Sequence, residues 1–115
     1  MEIVFASPRL NVLCNSEQEL RRVLGDDACR IALARLASLS AASVLEDLRH
    51  LPGRCRELRA RRAGQLALTL SKDKRLIFEP RDRPLPTTSE GDLDWARVAG
   101  IRILTIDDYR QRPRR

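Results

Sequence analysis

The chain has 115 residues, of which 43% are hydrophobic, and this length suits one packed domain rather than two. Its 22 basic residues outnumber 16 acidic ones, and a formal charge of +6 is typical of proteins that bind a polyanion. No apolar run approaches the roughly 20 residues that span a bilayer, and the opening MEIVFA lacks the basic residue of a signal peptide. We therefore expect one domain over residues 1–115 of a cytoplasmic protein, with no membrane partner and a flexible basic tail at 110–115.

Cysteine and histidine are scarce: the chain holds Cys14, Cys29, Cys55 and a single histidine, His50. The cysteines are odd in number and far apart, and one histidine adds too few ligands to complete a zinc cluster. We therefore expect reduced, mostly buried thiols, no metal and no cofactor. His50 is a candidate general base by residue type, although a lone histidine is more often merely exposed.

The first part of the chain predicts one strand and two helices. Residues 2–6, EIVFA, are β-branched and aromatic, which is typical of a strand. In NSEQELRRVLG, Ser16 is followed by a glutamate three residues on, the spacing of a capping box, and Gly25 is a helix stop. A second helix, DDACRIALARLASLSAAS, follows with Asp26 or Asp27 as its expected cap.

Past the Leu-Pro-Gly at 51–53, the apolar pattern changes to the period of strands. CREL is a candidate short strand, and QLALTL and RLIFE form a hairpin through the polar turn SKDK. A proline-rich loop occupies 80–100, with one helical turn expected in DWARVAG, and IRILTI is the last strand. This order of elements predicts an α+β domain whose helices pack on one face of a sheet.

The stretch RCRELRARRAG, at 54–64, concentrates five arginines against one acid, Glu57. Guanidinium groups are planar forks that match phosphate oxygens and stay cationic beside a developing negative charge. The stretch is therefore a candidate phosphate site. The alternative is a solvated edge strand that is protected from aggregation by its charge.

Strand alternation sorts these side chains by face. Arg56 lies on the face opposite Cys55 and Glu57 if CREL is a strand. Arg75 opens RLIFE on the face away from the apolar positions, where it could meet the arginines of neighbouring strands. It could equally form an ion pair with Glu79, four residues on and on the same face.

The only tyrosine, Tyr109, follows the last predicted strand. A phenol beside arginines could donate or accept a proton, or stack on a nucleic-acid base. It could as well be an amphipathic residue that anchors the end of the chain.

Three segments together resemble the HigB-type toxins of the RelE/ParE superfamily, the toxin halves of type II toxin–antitoxin pairs. They are MEIVFAS at the start, RCRELRARRAGQLALTLSKDKRLIFEP in the middle and IRILTIDDY near the end. The resemblance implies N-terminal helices packed on one face of a twisted, mainly antiparallel sheet. It also implies a ribosome-dependent mRNA endoribonuclease that inhibits translation by metal-free attack of the ribose 2′-OH.

The resemblance also implies partners. These are the ribosome, its mRNA and a HigA-like, helix-turn-helix antitoxin, with operator DNA bound only through the antitoxin complex.

The same resemblance assigns roles to particular residues. Four arginines would hold and neutralise the scissile phosphate, while an Asp-Tyr pair would orient an arginine and the 2′-OH. The catalytic candidates are Arg56, Arg59, Arg62, Arg75, Asp108 and Tyr109. The candidates for guiding RNA by charge are Arg54, Arg61, Lys72, Lys74 and Arg110.

Two positions depart from the family pattern: Arg56 and Arg110 stand where relatives have histidine. Each replacement removes a group that titrates near neutral pH and could serve general acid–base catalysis. Two other functions therefore remain open. One is an interaction protein that binds antitoxin or RNA without cleaving, and the other is a ParE-like poison of DNA gyrase.

Overall fold

The structure, a computed structural model, describes residues 1–108. Three helices, five strands and three short 3-10 turns make up this part of the chain. The helices are α1 (Pro8–Cys14), α2 (Glu17–Leu24) and α3 (Asp26–Ala41), and the 3-10 turns are Leu45–Leu48, Ala60–Arg62 and Trp95–Arg97. The strands are β1 (Glu2–Phe5), β2 (Arg56–Glu57), β3 (Leu66–Ser71), β4 (Lys74–Pro80) and β5 (Gly100–Asp108). The expected flexible tail at 110–115, with Arg110, and the candidate Tyr109 lie outside the described residues.

The five strands form one sheet in the order β1-β5-β4-β3-β2. β1 runs parallel to β5, with Ile3 opposite Ile101, and the other three pairings are antiparallel. The predicted hairpin of β3 and β4 is confirmed, and its turn is Lys72-Asp73, because Ser71 and Lys74 of SKDK pair with each other in the strands. The α+β class, with helices on one face of a mainly antiparallel sheet, is confirmed.

Helix α1 was not predicted from the sequence, which indicated a strand at 2–6 and no helix before the one that begins at Ser16. Ser7 caps this helix by accepting a hydrogen bond from the backbone nitrogen of Leu10 at 3.1 Å. Pro8 occupies the first turn, where its missing N–H is not needed. A serine followed by proline is thus the helix-start signal at this point of the sequence.

The predicted start and end of α2 are confirmed. Ser16 accepts from the backbone nitrogen of Glu19 at 3.2 Å, and Gly25 ends the helix at φ +87°, a left-handed value that favours glycine. The predicted side-chain cap of α3 is wrong. Asp26 and Asp27 lie within its first turn, and Gly25 occupies the capping position without a side-chain bond.

The hydrophobic core lies between the helices and one face of the sheet. The sheet contributes alternate residues of β3, β4 and β5, and the helices contribute one apolar stripe each. The fully or almost fully buried members include Leu66, Leu68, Leu70, Leu76, Phe78, Ile101 and Ile103 from the sheet and Leu20, Cys29, Ala32 and Leu39 from the helices. Small and aliphatic residues fill most of this space because aromatic residues are few.

The loop between β4 and β5 packs part of itself into the same core. Asp94 caps the predicted turn by accepting from the backbone nitrogen of Ala96 at 3.2 Å. Trp95 is only 6% exposed and belongs to the core cluster. No helix in residues 1–108 is long and apolar enough to cross a membrane.

Candidate functional site

One row of polar side chains crosses three strands on the sheet face away from the helices. Thr69 of β3 is the register partner of Arg75 in β4, and Arg75 is the partner of Asp107 in β5. The Arg75 Nε donates a hydrogen bond to the Asp107 Oδ2 at 3.2 Å. We call the sheet face that carries these three residues the arginine face.

Arg62 reaches the same carboxylate from the 3-10 turn that precedes β3. Its Nη1 donates to the Gln65 Oε1 at 3.1 Å, and its Nη2 lies 3.9 Å from the Asp107 Oδ2. Gly64, at φ +89°, turns the chain between Arg62 and Gln65. Asp107 therefore has two guanidinium groups beside it, which come from separate parts of the sequence.

Arg56 reaches the arginine face from the edge strand β2. Its Nη1 donates to the Thr69 Oγ1 at 3.1 Å and to the Arg54 carbonyl oxygen at 2.9 Å. Thr69 is also the register partner of Arg75. The structure therefore brings together Arg56, Arg62 and Arg75, three of the four arginines that sequence reasoning assigned to the phosphate.

Within residues 1–108, the arginine cluster of Arg56, Arg62 and Arg75 carries three positive charges and has one carboxylate, that of Asp107, in ion-pair contact with it. The side chains of Arg75 and Asp107 are 14% and 12% exposed, whereas that of Arg62 is 31% exposed. Partial burial strengthens electrostatic attraction because less water screens it. Such a set can bind a phosphate and stabilise extra negative charge on it, with Arg62 the more accessible of these two arginines.

The fourth phosphate candidate, Arg59, stands apart from the cluster. It is exposed at the start of the 3-10 turn Ala60–Arg62, and in residues 1–108 its side chain makes no hydrogen bond or ion pair. Arg54, Arg61 and Lys72 are also exposed around the site. Their role in attracting RNA by charge stays a prediction.

Lys74 and Asp108 lie elsewhere than sequence reasoning expected. Lys74 is 6% exposed, and its Nζ lies 3.6 Å from the Asp73 Oδ1 and 3.7 Å from the Asp108 Oδ2. Lys74 and Asp108 are register partners at the end of the β4–β5 pair. This burial argues against direct contact of Lys74 with RNA, and the carboxylate beside the clustered arginines is that of Asp107.

A β-bulge explains why Asp107 replaces Asp108 on the arginine face. Ile77 pairs with Thr105 and Phe78 with Ile103, so Leu104 is an extra residue in β5. An extra residue reverses which positions face the core. As a result, Asp107 lies on the arginine face, whereas Ile103 lies on the core face. Without the bulge, Asp108 would have been on the arginine face instead.

Arg75 and Glu79 do not form the ion pair that was the alternative interpretation of their spacing. Glu79 instead lies opposite Arg102 in the register, and the Arg102 Nη1 donates to its Oε2 at 3.1 Å. Farther along the same two strands, β4 and β5, the charges of Glu79 and Arg102 neutralise each other. The excess of positive charge is concentrated at the Arg56–Arg62–Arg75 end of the arginine face.

The thiols and His50 lie outside this cluster. Burial raises the pKa of the Cys14 thiol to about 11 and that of Cys55 to about 12, which makes both poor nucleophiles at neutral pH. His50 is exposed in the turn before β2. Within residues 1–108, no group of three or more His, Cys, Asp or Glu side chains is placed to hold a metal ion.

An apolar groove of about 550 Å³ opens between α1, α2 and β5, away from the arginine cluster. Val12 and Val23 both line it and are 63% and 48% exposed, so the groove presents large apolar side chains to solvent. Arg9 and Arg22 stand at the same groove. Sequence reasoning did not predict this surface, because α1 itself was missed.

No family model matches the chain, and no curated protein matches it in sequence. Its fold, however, is that of solved YoeB/ParE-type toxins, the RelE/ParE-like fold. A YoeB/ParE toxin from Agrobacterium tumefaciens superposes with a TM-score of 0.54 at 8% identity, over 94% of this chain and 98% of that one. A chain of the YoeB–YefM complex from Staphylococcus aureus gives 0.53 at 12% identity, over 93% and 94%.

At these identities the likeness establishes the shared fold. It confirms the superfamily-type architecture that the sequence resemblance implied. The narrower resemblance to HigB receives no support, since the matched structures carry the YoeB and ParE names.

Proposed function

We propose that this chain is the toxin of a toxin–antitoxin pair and that it cleaves mRNA in the ribosome, within the cytoplasm. The observation that carries the proposal is the grouping of Arg56, Arg62 and Arg75 on one sheet face, where Arg62 and Arg75 lie beside the Asp107 carboxylate and Arg56 is bonded to Thr69. The shared fold with YoeB/ParE-type toxins supports the class of protein. The basic surface supports a polyanionic substrate.

The proposed reaction is an intramolecular transesterification of RNA. The ribose 2′-oxygen gives up its proton and attacks the adjacent phosphorus, and the bond from phosphorus to the 5′-oxygen breaks. The 2′-proton passes to solvent and the leaving 5′-oxygen takes up a proton from solvent, so the products are a 2′,3′-cyclic phosphate and a 5′-hydroxyl. Arg56, Arg62 and Arg75 would stabilise the extra charge of the phosphorane, while Tyr109 would orient the 2′-OH or stack on a base.

Asp107 takes the orienting role that the resemblance gave to Asp108. Its carboxylate would fix the plane of the Arg75 guanidinium and thereby orient this group toward the phosphate. Arg59 would contact the RNA backbone from the exposed rim of the site. No step in this scheme requires a metal or cofactor.

The test is to add the purified protein to translating ribosomes and map the ends of the mRNA. We expect cleavage within the ribosome-covered codons, with 5′-hydroxyl ends on the downstream fragments. Intact mRNA at a stoichiometric amount of protein would contradict the proposal. It would favour the second candidate, an interaction protein without cleavage.

That second candidate rests on a specific observation. Arg56 stands where a histidine was expected, and the only histidine, His50, makes no hydrogen bond to the arginine cluster in the described part of the chain. A site without a neutral base near pH 7 binds phosphate more readily than it moves protons. A gyrase poison is the third outcome, and trapped gyrase–DNA complexes in cells that express the chain would indicate it.

The partner that we propose is a helix-turn-helix antitoxin, which would carry the pair to operator DNA. One solved structure of the same fold is a YoeB–YefM complex. The groove beside Val12 and Val23 is the contact surface we assign, since it exposes apolar side chains. Its Arg9 makes no ion pair or hydrogen bond through its side chain within residues 1–108 and complements a carboxylate, so the occupant is an acidic, apolar segment of the antitoxin.

Co-expression with the product of a neighbouring helix-turn-helix gene tests this surface. Val12→Asp together with Val23→Asp should abolish co-purification, whereas Arg75→Ala should retain it. Undiminished co-purification of the double variant would show that the antitoxin binds elsewhere. A change of the chain's own mass in solution would instead indicate a second copy on the groove.

A further inference from the structure

The strand that presents Arg56 is short and weakly held by its backbone. β2 has two residues, lies at the edge of the sheet and pairs with β3 alone. One backbone bond flanks the strand on each side: Leu58 nitrogen donates to Gln65 oxygen at 2.9 Å, and Thr69 nitrogen donates to Gly53 oxygen at 2.8 Å. Arg54 and Ala60 on either side adopt left-handed φ values of +51° and +57°, which non-glycine residues rarely adopt. Such a segment frays readily unless side chains fix it.

One side-chain bond does tie β2 to the core. The indole Nε1 of Trp95, which is only 6% exposed, donates to the Glu57 Oε2 at 2.9 Å. A bond to a carboxylate is stronger than one between neutral groups. The tie therefore joins β2 to a buried ring in the loop that connects β4 and β5.

The indole is itself held in place by charged neighbours. The Arg49 guanidinium carbon lies 4.1 Å from the centroid of the Trp95 ring, a cation–π distance. Arg49 also donates two hydrogen bonds to Glu46, at 2.7 and 3.1 Å. The ring is thus fixed on its face by Arg49 and at its edge by Glu57.

Arg56 and Glu57 are consecutive, so their side chains leave opposite sides of β2. Glu57 points toward Trp95 on the core side, and Arg56 points toward Thr69 on the arginine face. We propose that Glu57 and Trp95 are positioning residues, which clamp β2 from the core side and thereby hold Arg56 over the arginine face. The loop at 80–99 acquires a role in the site through this clamp.

The clamp is tested by replacing Glu57, which accepts the hydrogen bond from Trp95. A control variant loses the same negative charge at another position. Glu57→Ala removes the bond, and Glu57→Gln keeps an oxygen that accepts from the indole. Glu90→Ala is the control, because it removes one acid from the loop that carries Trp95 and its side chain makes no hydrogen bond or ion pair in residues 1–108. Trp95→Phe is a second variant, which keeps a ring under Arg49 but lacks the N–H.

Amide hydrogen exchange and the single indole signal give readouts that need no activity. We expect about tenfold lower protection of the Leu58 amide in Glu57→Ala and Trp95→Phe, with amides of the central strand β4 unchanged. The indole proton, unique because Trp95 is the only tryptophan, should shift in Glu57→Ala and shift less in Glu57→Gln, which keeps a weaker, neutral acceptor. Equal loss of protection in β2 and β4 would mean general destabilisation and would overturn the proposal, as would unchanged Leu58 protection.

RNA cleavage on ribosomes is the second arm, and this arm alone rests on the proposed function. We expect a rate about tenfold lower in Glu57→Ala, recovery in Glu57→Gln and no change in Glu90→Ala. If Leu58 loses protection while cleavage is unaffected, the clamp does not position Arg56 and the inference fails. If the unaltered protein cleaves nothing, the proposed function fails, and the exchange results still decide whether the clamp exists.

Discussion

Asp107 accepts a hydrogen bond from Arg75 across the β4–β5 pair, and both side chains are largely buried. The Asp107 carboxylate also lies within ion-pair distance of Arg62. Buried carboxylates of this kind orient their partners more than they add stability, because removing both groups from water offsets much of the attraction. The arrangement fixes one guanidinium and leaves the cluster with excess positive charge.

Replacing Asp107 should therefore impair the site more than replacing Asp108. Asp107→Asn keeps an acceptor but loses the charge that aligns Arg75, and we expect RNA cleavage to fall by about tenfold or more. Asp108→Asn should mainly lower stability, because its neighbour is the buried Lys74. Cleavage rates and thermal unfolding of the two variants decide this, and the reverse order of effects would restore the role that the resemblance gave to Asp108.

Arg75 should be the most sensitive of the clustered arginines. Arg75→Ala removes the guanidinium at the centre of the row, and we expect cleavage to fall by about 100-fold or more. Arg75→Lys keeps the charge but not the planar fork, so it should recover only part of the rate. The melting temperature should stay within a few degrees of the parent's, since Asp107 retains Arg62 nearby. Full activity of Arg75→Ala would invalidate the site.

We expect Arg56 to contact RNA from a fixed position and Arg59 to attract it only by charge. Arg59 is exposed and unpaired in the described residues, so Arg59→Ala should weaken binding evenly across RNA sequences and lower the salt dependence by about one phosphate contact. Arg56→Ala should lower the cleavage rate beyond its effect on binding, because Arg56 is held over the arginine face. Binding at several salt concentrations, together with single-turnover cleavage, distinguishes the two. Identical profiles would contradict the assignment.

The sequence predicted the strands and most of the helical segments because their periodicities are strong. Alternation in RLIFE placed Arg75 on the face away from its apolar positions, and in the structure Phe78 belongs to the core while Arg75 lies on the other face. The same alternation would have predicted that Lys74 is buried, because it lies two residues before Leu76 on the same face. We assigned it to RNA contact because of its charge.

Other features of the site depend on geometry that no local pattern records. The bulge at Leu104 reverses the alternation in β5, so the choice between Asp107 and Asp108 could not be made from spacing. The bond between Trp95 and Glu57 joins residues that are 38 positions apart. Contacts of this kind arise from the folded topology, and a single sequence does not reveal them.

Lys74 should contribute to stability rather than to RNA binding. Lys74→Ala leaves the carboxylates of Asp73 and Asp108 without their buried neighbour, and we expect a loss of about 3 kcal/mol in the free energy of unfolding. Lys72→Ala, in the exposed turn next to it, should change stability by less than about 0.5 kcal/mol. Denaturant unfolding measures both. If Lys74→Ala changed the free energy of RNA binding more than the free energy of unfolding, Lys74 would be an RNA contact after all.

The raised pKa of Cys55 predicts a loss of stability in alkali. Burial, opposed in part by Arg49 and Arg56, raises the pKa of this thiol from 9.0 to about 12. Above pH 9 the unfolded chain releases the thiol proton while the folded chain retains it, so the unfolded state becomes favoured as pH rises. This loss of folding stability is negligible below about pH 9 and grows by about 1 kcal/mol per pH unit up to about pH 12.

Cys55→Ala isolates this effect from the other groups that titrate in alkali. Its free energy of unfolding should run parallel to that of the parent below pH 8.5. Between pH 9 and 10.5 it should fall less steeply with pH, by about 1 kcal/mol per pH unit. Denaturant titrations at half-unit steps suffice to compare the two slopes. Parallel curves throughout that range would mean that the Cys55 thiol ionises equally in both states, and hence that β2 does not shield it from water.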